Sequence, residues 1–230
     1  MKSVGAAAVG LVIGFGLSAV PASAQPRTPP MRLSANPSAV VAAEIAFSRL
    51  AQEKGQWTAF RKTAAKDAVM FVPGMVNALT WLKGRKDPPA AVKWQPEKVL
   101  MSCDGSTGVS TGPWQRPDGT HGYFTTIWQR DKKGDWKWVL DHGDTLASPR
   151  APAEFVSTRL APCPRGIRPM APPVPADPAA LPTPGQGKSA DGTLTWRSEV
   201  AADHARRIVV SLMVNGAYED ALVNEVAAPQ

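Results

Sequence analysis

Nine prolines fall between Pro162 and Pro184, and this run limits what the chain can fold into more than any other feature. Proline fixes φ and carries no backbone N–H, so neither a helix nor a sheet ladder passes through such a stretch. Residues 149–190 therefore read as an extended linker, and ordered structure must be built separately on its two sides. Downstream, "GTLTWRSEV", "RRIVVSLMV" and "YEDALVNEV" alternate with period two, and Asn215-Gly216 supplies a tight turn between the last two. Residues 191–230 thus read as a small three-stranded β-meander. Such a sheet is marginal alone in water and is expected to dock on something.

Upstream of the linker, helices come first. Ser38 can cap a helix through "AVVAAEIAFSRLAQEKG", with Val41, Ile45, Phe47 or Ser48, and Leu50 at helical spacing and Gly55 at its end. "QWTAFRKTAAK" and "ALTWLKGR" read as shorter helices, and "AVMFV" between them as a strand closed by Pro73-Gly74. From Trp94 the pattern changes to strands. "EKVLMSC" and "TGVSTGPWQR" flank Asp104-Gly105, and "GYFTTIWQR" and "DWKWVLDH" flank "DKKG", which makes two hairpins. Helices followed by antiparallel strands give an α+β domain over residues 38–148, with the helices on one face of a bent sheet.

The first 24 residues have one positive charge (Lys2), an apolar run from Val4 to Val20 and then Ala22-Ser23-Ala24. That is the layout of a secretory signal peptide. The expectation is a periplasmic or secreted chain, cleaved near Ala24, with a short arm over 25–37 and no membrane span after cleavage. The formal charge of +7 is dispersed, with 15 Lys/Arg against 11 Asp/Glu between Ser38 and Ser148. Nucleic-acid binding needs a clustered patch, so no nucleic-acid partner is expected. Cys103 and Cys163 are the only cysteines. In an oxidising compartment two thiols favour a disulfide, and they are too few for a zinc motif.

"FRKTAAKDAVMFVPG", "VKWQPEKVLMSCDGSTGVSTGPW", "GYFTTIWQR" and "GDWKWVLDHGD", in this order, resemble the nuclear transport factor 2-like superfamily in its ketosteroid isomerase and SnoaL-like branch. More closely they resemble bacterial exported proteins carrying that domain. The resemblance covers residues 38–147. It implies a cone-shaped sheet wrapped around the N-terminal helices, a pocket between the concave face and the first helices, and frequent pairing of two copies. The steroid isomerase set does not carry over, because that chemistry needs a tyrosine as well as two aspartic groups. Only Tyr123 and Tyr218 are present, and neither is in the helical region.

Site expectations follow from alternation along "WKWVLDHGD". Trp136, Trp138, Leu140 and His142 share one face, and the more apolar set should point inward, with His142 at the pocket mouth and Asp141 turned away. Trp57, Phe60, Phe71, Trp94 and Trp114 are the other expected pocket residues, together with Trp138. A catalytic alternative, a small lyase, isomerase or hydrolase, would use His142 with Asp67, and His121 is a further candidate. A single His and a single Asp without a third orienting group are an incomplete site, and a strand-end His is more often structural. Asp141, His142 and Asp144 do not make a metal site, since strand neighbours point to opposite faces; no cofactor is expected. The favoured reading is a module that binds a small apolar molecule or a partner chain without catalysis. A homodimer through the outer sheet face is expected, because Phe124/Trp128 and Tyr123/Ile127 place apolar groups on both sides of one strand.

Overall fold

The structure, a computed structural model, describes residues 35–151, 153–163 and 185–229. The segment read as a signal peptide, most of the 25–37 arm and nearly all of the proline run lie outside the described residues. Among the described residues, no helix is long and apolar enough to cross a membrane.

Helix α1 (Pro37–Lys54) is capped by Asn36, whose side chain accepts from Ser38 N at 3.1 Å, with Pro37 in the first turn. The cap falls two residues before Ser38 because Asn36 is extended and supplies the side-chain acceptor that an orphan N–H needs. Gly55, with φ 101°, ends α1 and starts α2 (Gln56–Thr63) without a break. The buried row of α1 is Val40, Glu44, Phe47 and Ala51, one position off the expected stripe, and Ile45 is 46% exposed. Gly108 explains the close approach on that row, since a Cβ there would collide with Val40.

The main sheet contains β1 (Ala64–Phe71), β2 (Met75–Asn77), β3 (Lys93–Trp94), β4 (Lys98–Met101), β5 (Thr107–Gln115), β6 (His121–Arg130), β7 (Trp136–Thr145) and β8 (Ser157–Leu160), with α3 (Ala78–Leu82) after β2. The strand order is β2-β1-β7-β6-β5-β4-β8, with β3 pairing β5. Most pairings are antiparallel, but β1–β7 and β4–β8 are parallel. The sheet curls around the helices, as expected of an α+β cone.

Two expectations for the second half are corrected. Part of the segment read as linker is strand: β8 joins the main sheet along β4, and β9 (Gly187–Lys188) pairs β10. The C-terminal sheet therefore has four strands, ordered β12 (Ala217–Val226), β11 (Arg206–Val214), β10 (Leu194–Val200), β9. Both added strands are short, and β8 is fully exposed, so neither shows a period-two apolar pattern.

The main sheet is buried on both faces. Its concave face packs Val99, Met101, Trp128, Trp138, Ala68 and Met70 against Val40, Phe47, Ala51, Ala59 and Phe60 of the helices. Its outer face packs Val69, Leu100, Val109, Ile127 and Leu140 against Leu194, Trp196, Val210 and Leu212 of the C-terminal sheet. The face that the sequence assigns to a second copy is thus covered by the chain itself. Apolar residues on both sides of β6 reflect that cover. The attachment is reinforced at the β4–β5 turn. There Cys103 N donates to Thr193 Oγ1 at 2.9 Å, and the backbone N–H groups of Asp104 and Asp191 each donate to the other's carboxylate. Cys103 and Cys163 are joined by a disulfide, with Cα atoms 5.1 Å apart, so the chain leaving β8 is tied to the same turn.

Candidate functional site

Strand β7 does not alternate strictly. Ile127 pairs with Leu140 while Trp128 pairs with Trp138, so Val139 is an extra residue in β7. Such a bulge reverses the facing of everything beyond it relative to a strict count. Trp138 faces the helices, Leu140 the C-terminal sheet, Asp141 the concave interior and His142 the outer side. The expected orientation of Asp141 and His142 is therefore exchanged.

The concave side holds a cavity of about 300 Å³, walled by Phe47, Phe60, Trp94, Trp114 and Phe124, with Val92, Gln56, Arg116, Asp141 and Asp144 completing it. That volume lies at the lower end of the range of about 300–1,000 Å³ typical of small-molecule sites. The aromatic walls are held by edge-to-face contacts, with ring centroids 4.8 Å apart for Phe47–Phe60 and 5.0 Å for Phe47–Trp94. Trp114 lies against Gly122, where any Cβ would clash with the indole, and its Nε1 donates to Tyr123 O at 2.8 Å.

Two carboxyl groups define the polar end. Asp141 lines the cavity, its Oδ2 accepting from Thr126 Oγ1 at 2.7 Å. Burial pushes its pKa up to about 7, opposed by the Thr126 hydrogen bond and assisted by the charge of Glu44. Glu44 is fully buried behind the walls. Its Oε1 accepts from Trp94 Nε1 at 2.6 Å, and its Oε2 accepts from Ser110 Oγ at 2.5 Å and Trp128 Nε1 at 2.9 Å. Burial raises its pKa, against the pull of those three donors.

His142 stands on the other side of the sheet. It is 4% exposed, with Nε2 3.1 Å from Asn224 Oδ1 of β12, an oxygen that also accepts from Thr125 Oγ1 at 2.8 Å. Its Nδ1 has no partner among the described residues. Phe71 and Tyr123 meet its ring edge to face, and Arg206 donates to the neighbouring Gly143 O at 2.7 Å. Burial lowers the His142 pKa to about 4, with Asn224 opposing and Arg206 assisting. A neutral imidazole donating through Nε2 fits these surroundings, and a second ring proton would find no acceptor.

The other sequence candidates scatter. Phe60, Trp94 and Trp114 line the cavity. His142 borders it along the strand but turns its ring to Asn224. Trp57 packs on Phe60 and Trp81, and Trp138 is core, donating to Thr63 Oγ1 at 3.0 Å. Phe71 is on the outer side beneath Arg206. Asp67 lines a separate, larger groove of about 920 Å³ with Val69, Met75 and Trp196, so His142 and Asp67 do not converge on one cavity. Among the described residues, the His121 ring reaches Gly119 O and no other partner. Among the described residues, no group of three or more His, Cys, Asp or Glu is placed to hold a metal. The residues that sequence reasoning missed are Glu44, Phe47, Phe124 and Asp141. The Val40–Glu44–Phe47–Ala51 spacing was the available signal, a glutamate inside an otherwise apolar helical row.

Fold and cavity together define an α+β cone carrying a second sheet on its back. No protein-family profile and no curated protein matches the chain. Among solved structures it is similar to a candidate ketosteroid isomerase from Parabacteroides distasonis, at 17% identity and TM-score 0.40 over 51% of this chain and 98% of that one. It is similar to the CaMKII hub of S. rosetta, at 18% and 0.38 over 49% of this chain and 98% of that one. It is also similar to an NTF2-like protein of unknown function from Shewanella baltica, at 11% and 0.36 over 47% and 92%. The likeness is to ketosteroid isomerase-like and NTF2-like proteins, and about half of this chain lies beyond it.

Proposed function

We propose that this chain is an exported binding protein that takes a small, mainly apolar molecule into the cone without transforming it. One observation carries the reading: a cavity whose walls are five aromatic rings and whose interior end offers the carboxyl group of Asp141. Such a site gives a flat ligand contact area from the rings and orientation from one polar group. Asp141 takes over the orienting role that the sequence assigns to His142. The absence of convergence between His142 and Asp67 supports binding over an acid–base reaction by that pair. Export rests on the N-terminal 24 residues. Native mass spectrometry of the protein purified from the exported fraction of its own host is expected to show a retained small molecule, lost on mild denaturation. A bare chain, together with no thermal shift from a broad panel of small aromatic compounds, would remove the proposal.

A further inference from the structure

The walls and the interior end of the cavity make one combined demand on whatever enters. Aromatic faces carry a negative quadrupole, and a cation over them is attracted, most strongly where water is excluded. Phe47, Phe60, Trp94, Trp114 and Phe124 border one volume, with Trp94 and Trp114 the more open of the five. Two carboxyl groups then stand behind or within the same walls. Glu44 accepts hydrogen bonds at both oxygens, two of them from indole N–H groups that can only donate. Asp141 accepts from Thr126 at Oδ2, while Oδ1 has no protein donor among the described residues. Neither carboxyl, nor Asp144, is in an ion pair among the described residues.

The charged groups around this volume are Asp141 from β7, Glu44 from α1 through its indole partners, and Arg116 just beyond β5; Asp144, in register with Tyr123, has its charge beside Tyr123 and Arg206. Arg116 leans over the Trp114 ring at 5.1 Å and helps hold Asp118 below the usual carboxylate range. Asp141 carries its charge here above about pH 7, while burial favours the neutral form of Glu44. A neutral hydrocarbon would use the rings but press apolar surface against a carboxyl group, which is costly when that group is left unpaired. An organic cation uses both features.

Resting on the binding function proposed above, we infer that the cavity selects organic cations, an ammonium group on a small aromatic or alkyl skeleton, seated among Phe47, Trp94, Trp114 and Phe124 with its charge toward Asp141.

The test uses three probes of one shape and three charges on the full mature chain: 2-phenylethylammonium, 2-phenylethanol and phenylacetate. Affinities are measured by calorimetry at about pH 8, where Asp141 is ionised. The cation is expected to bind about tenfold or more tightly than the alcohol, and the anion weakest of all. Asp141→Asn is expected to bring the cation and the alcohol within about threefold of each other. A second readout needs no variant. Cation affinity in the unaltered protein should fall several-fold between about pH 8 and about pH 5, as Asp141 takes up its proton, while the alcohol's affinity holds. Equal or tighter binding of the alcohol overturns the cation inference and leaves the binding function standing. Tighter binding of phenylacetate also overturns it and assigns the recognition to Arg116. No binding by any of the three overturns both.

Discussion

Asp141, half-buried, and His142, buried, are adjacent in sequence on opposite sides of one sheet, and their protons bear on stability with opposite signs. In the fold Asp141 titrates at about 7, against an ordinary 3.8 once unfolded. A carboxyl raised in this way lends stability that is complete below pH 3.8 and is lost as the pH rises through 7. The difference spans about three pH units at about 1.4 kcal/mol each, or about 4 kcal/mol. His142 titrates at about 4, against 6.5 unfolded. A base depressed in this way lends stability that is complete above 6.5 and is lost as the pH falls toward 4, a change of about 3 kcal/mol. Between about 4 and 6.5 the native state keeps the Asp141 proton that the unfolded chain has lost. The unfolded chain holds a His142 proton that the native state lacks, so the two slopes oppose. Glu44, also raised, adds to the Asp141 side. The assay is urea unfolding followed by tryptophan fluorescence at half-unit steps from pH 4 to 8, with the disulfide intact and m-values checked for two-state behaviour. Each group is read as the difference between wild type and one variant. Asp141→Asn should gain on wild type progressively from pH 4 to 7, and His142→Gln should gain on wild type progressively from 6.5 down to 4. A flat Asp141→Asn difference curve across that window would refute the reasoning, because it would mean that the carboxyl is as well solvated in the fold as outside it.

Glu44→Ala strips Trp94, Trp128 and Ser110 of their shared acceptor and should cost about 3 kcal/mol, read as a lowered urea midpoint; a loss within about 0.5 kcal/mol would show that the glutamate is dispensable. Cys103→Ser should cost up to about 4 kcal/mol by the chain-entropy argument, since the bridge closes a separation of 60 residues. Wild type in reductant should fall to the same midpoint. N-terminal sequencing of the exported protein should begin near Gln25, and a chain that retains Met1 would cancel the export proposal.

The hairpins were legible because their signals are local. Asp104-Gly105 and the "DKKG" turn each sit between runs of the right period, and β4–β5 and β6–β7 form there. The concave cone was legible through the resemblance, and Phe60, Trp94 and Trp114 line the cavity found there. The extra residue at Val139 was not legible, because a period-two count has no way to register an added residue, and everything from Leu140 to Asp144 inherited the error. Glu44 was passed over because a charged residue in a helix is normally solvated, and only three donors from distant strands make its burial tolerable. β8 was invisible because "STRL" is exposed and held by backbone pairing to β4 and by the Arg159–Glu219 ion pair, not by an apolar face.

The thinness of the sheet at β6–β7 has a consequence for how substitutions here would sort. Thr126 and Asp141 form one rung facing the helices, and Thr125 and His142 form the next, facing Asn224. A saturation scan would therefore show neighbouring codons with unrelated phenotypes. Changes at 126 and 141 would register in what the cone retains. Changes at 125 and 142 would register in protease resistance of the last forty residues, as the second sheet loosens from the first. Proximity along the chain would be a poor guide to shared effect, and the two rungs would separate into different classes although no residue intervenes between them.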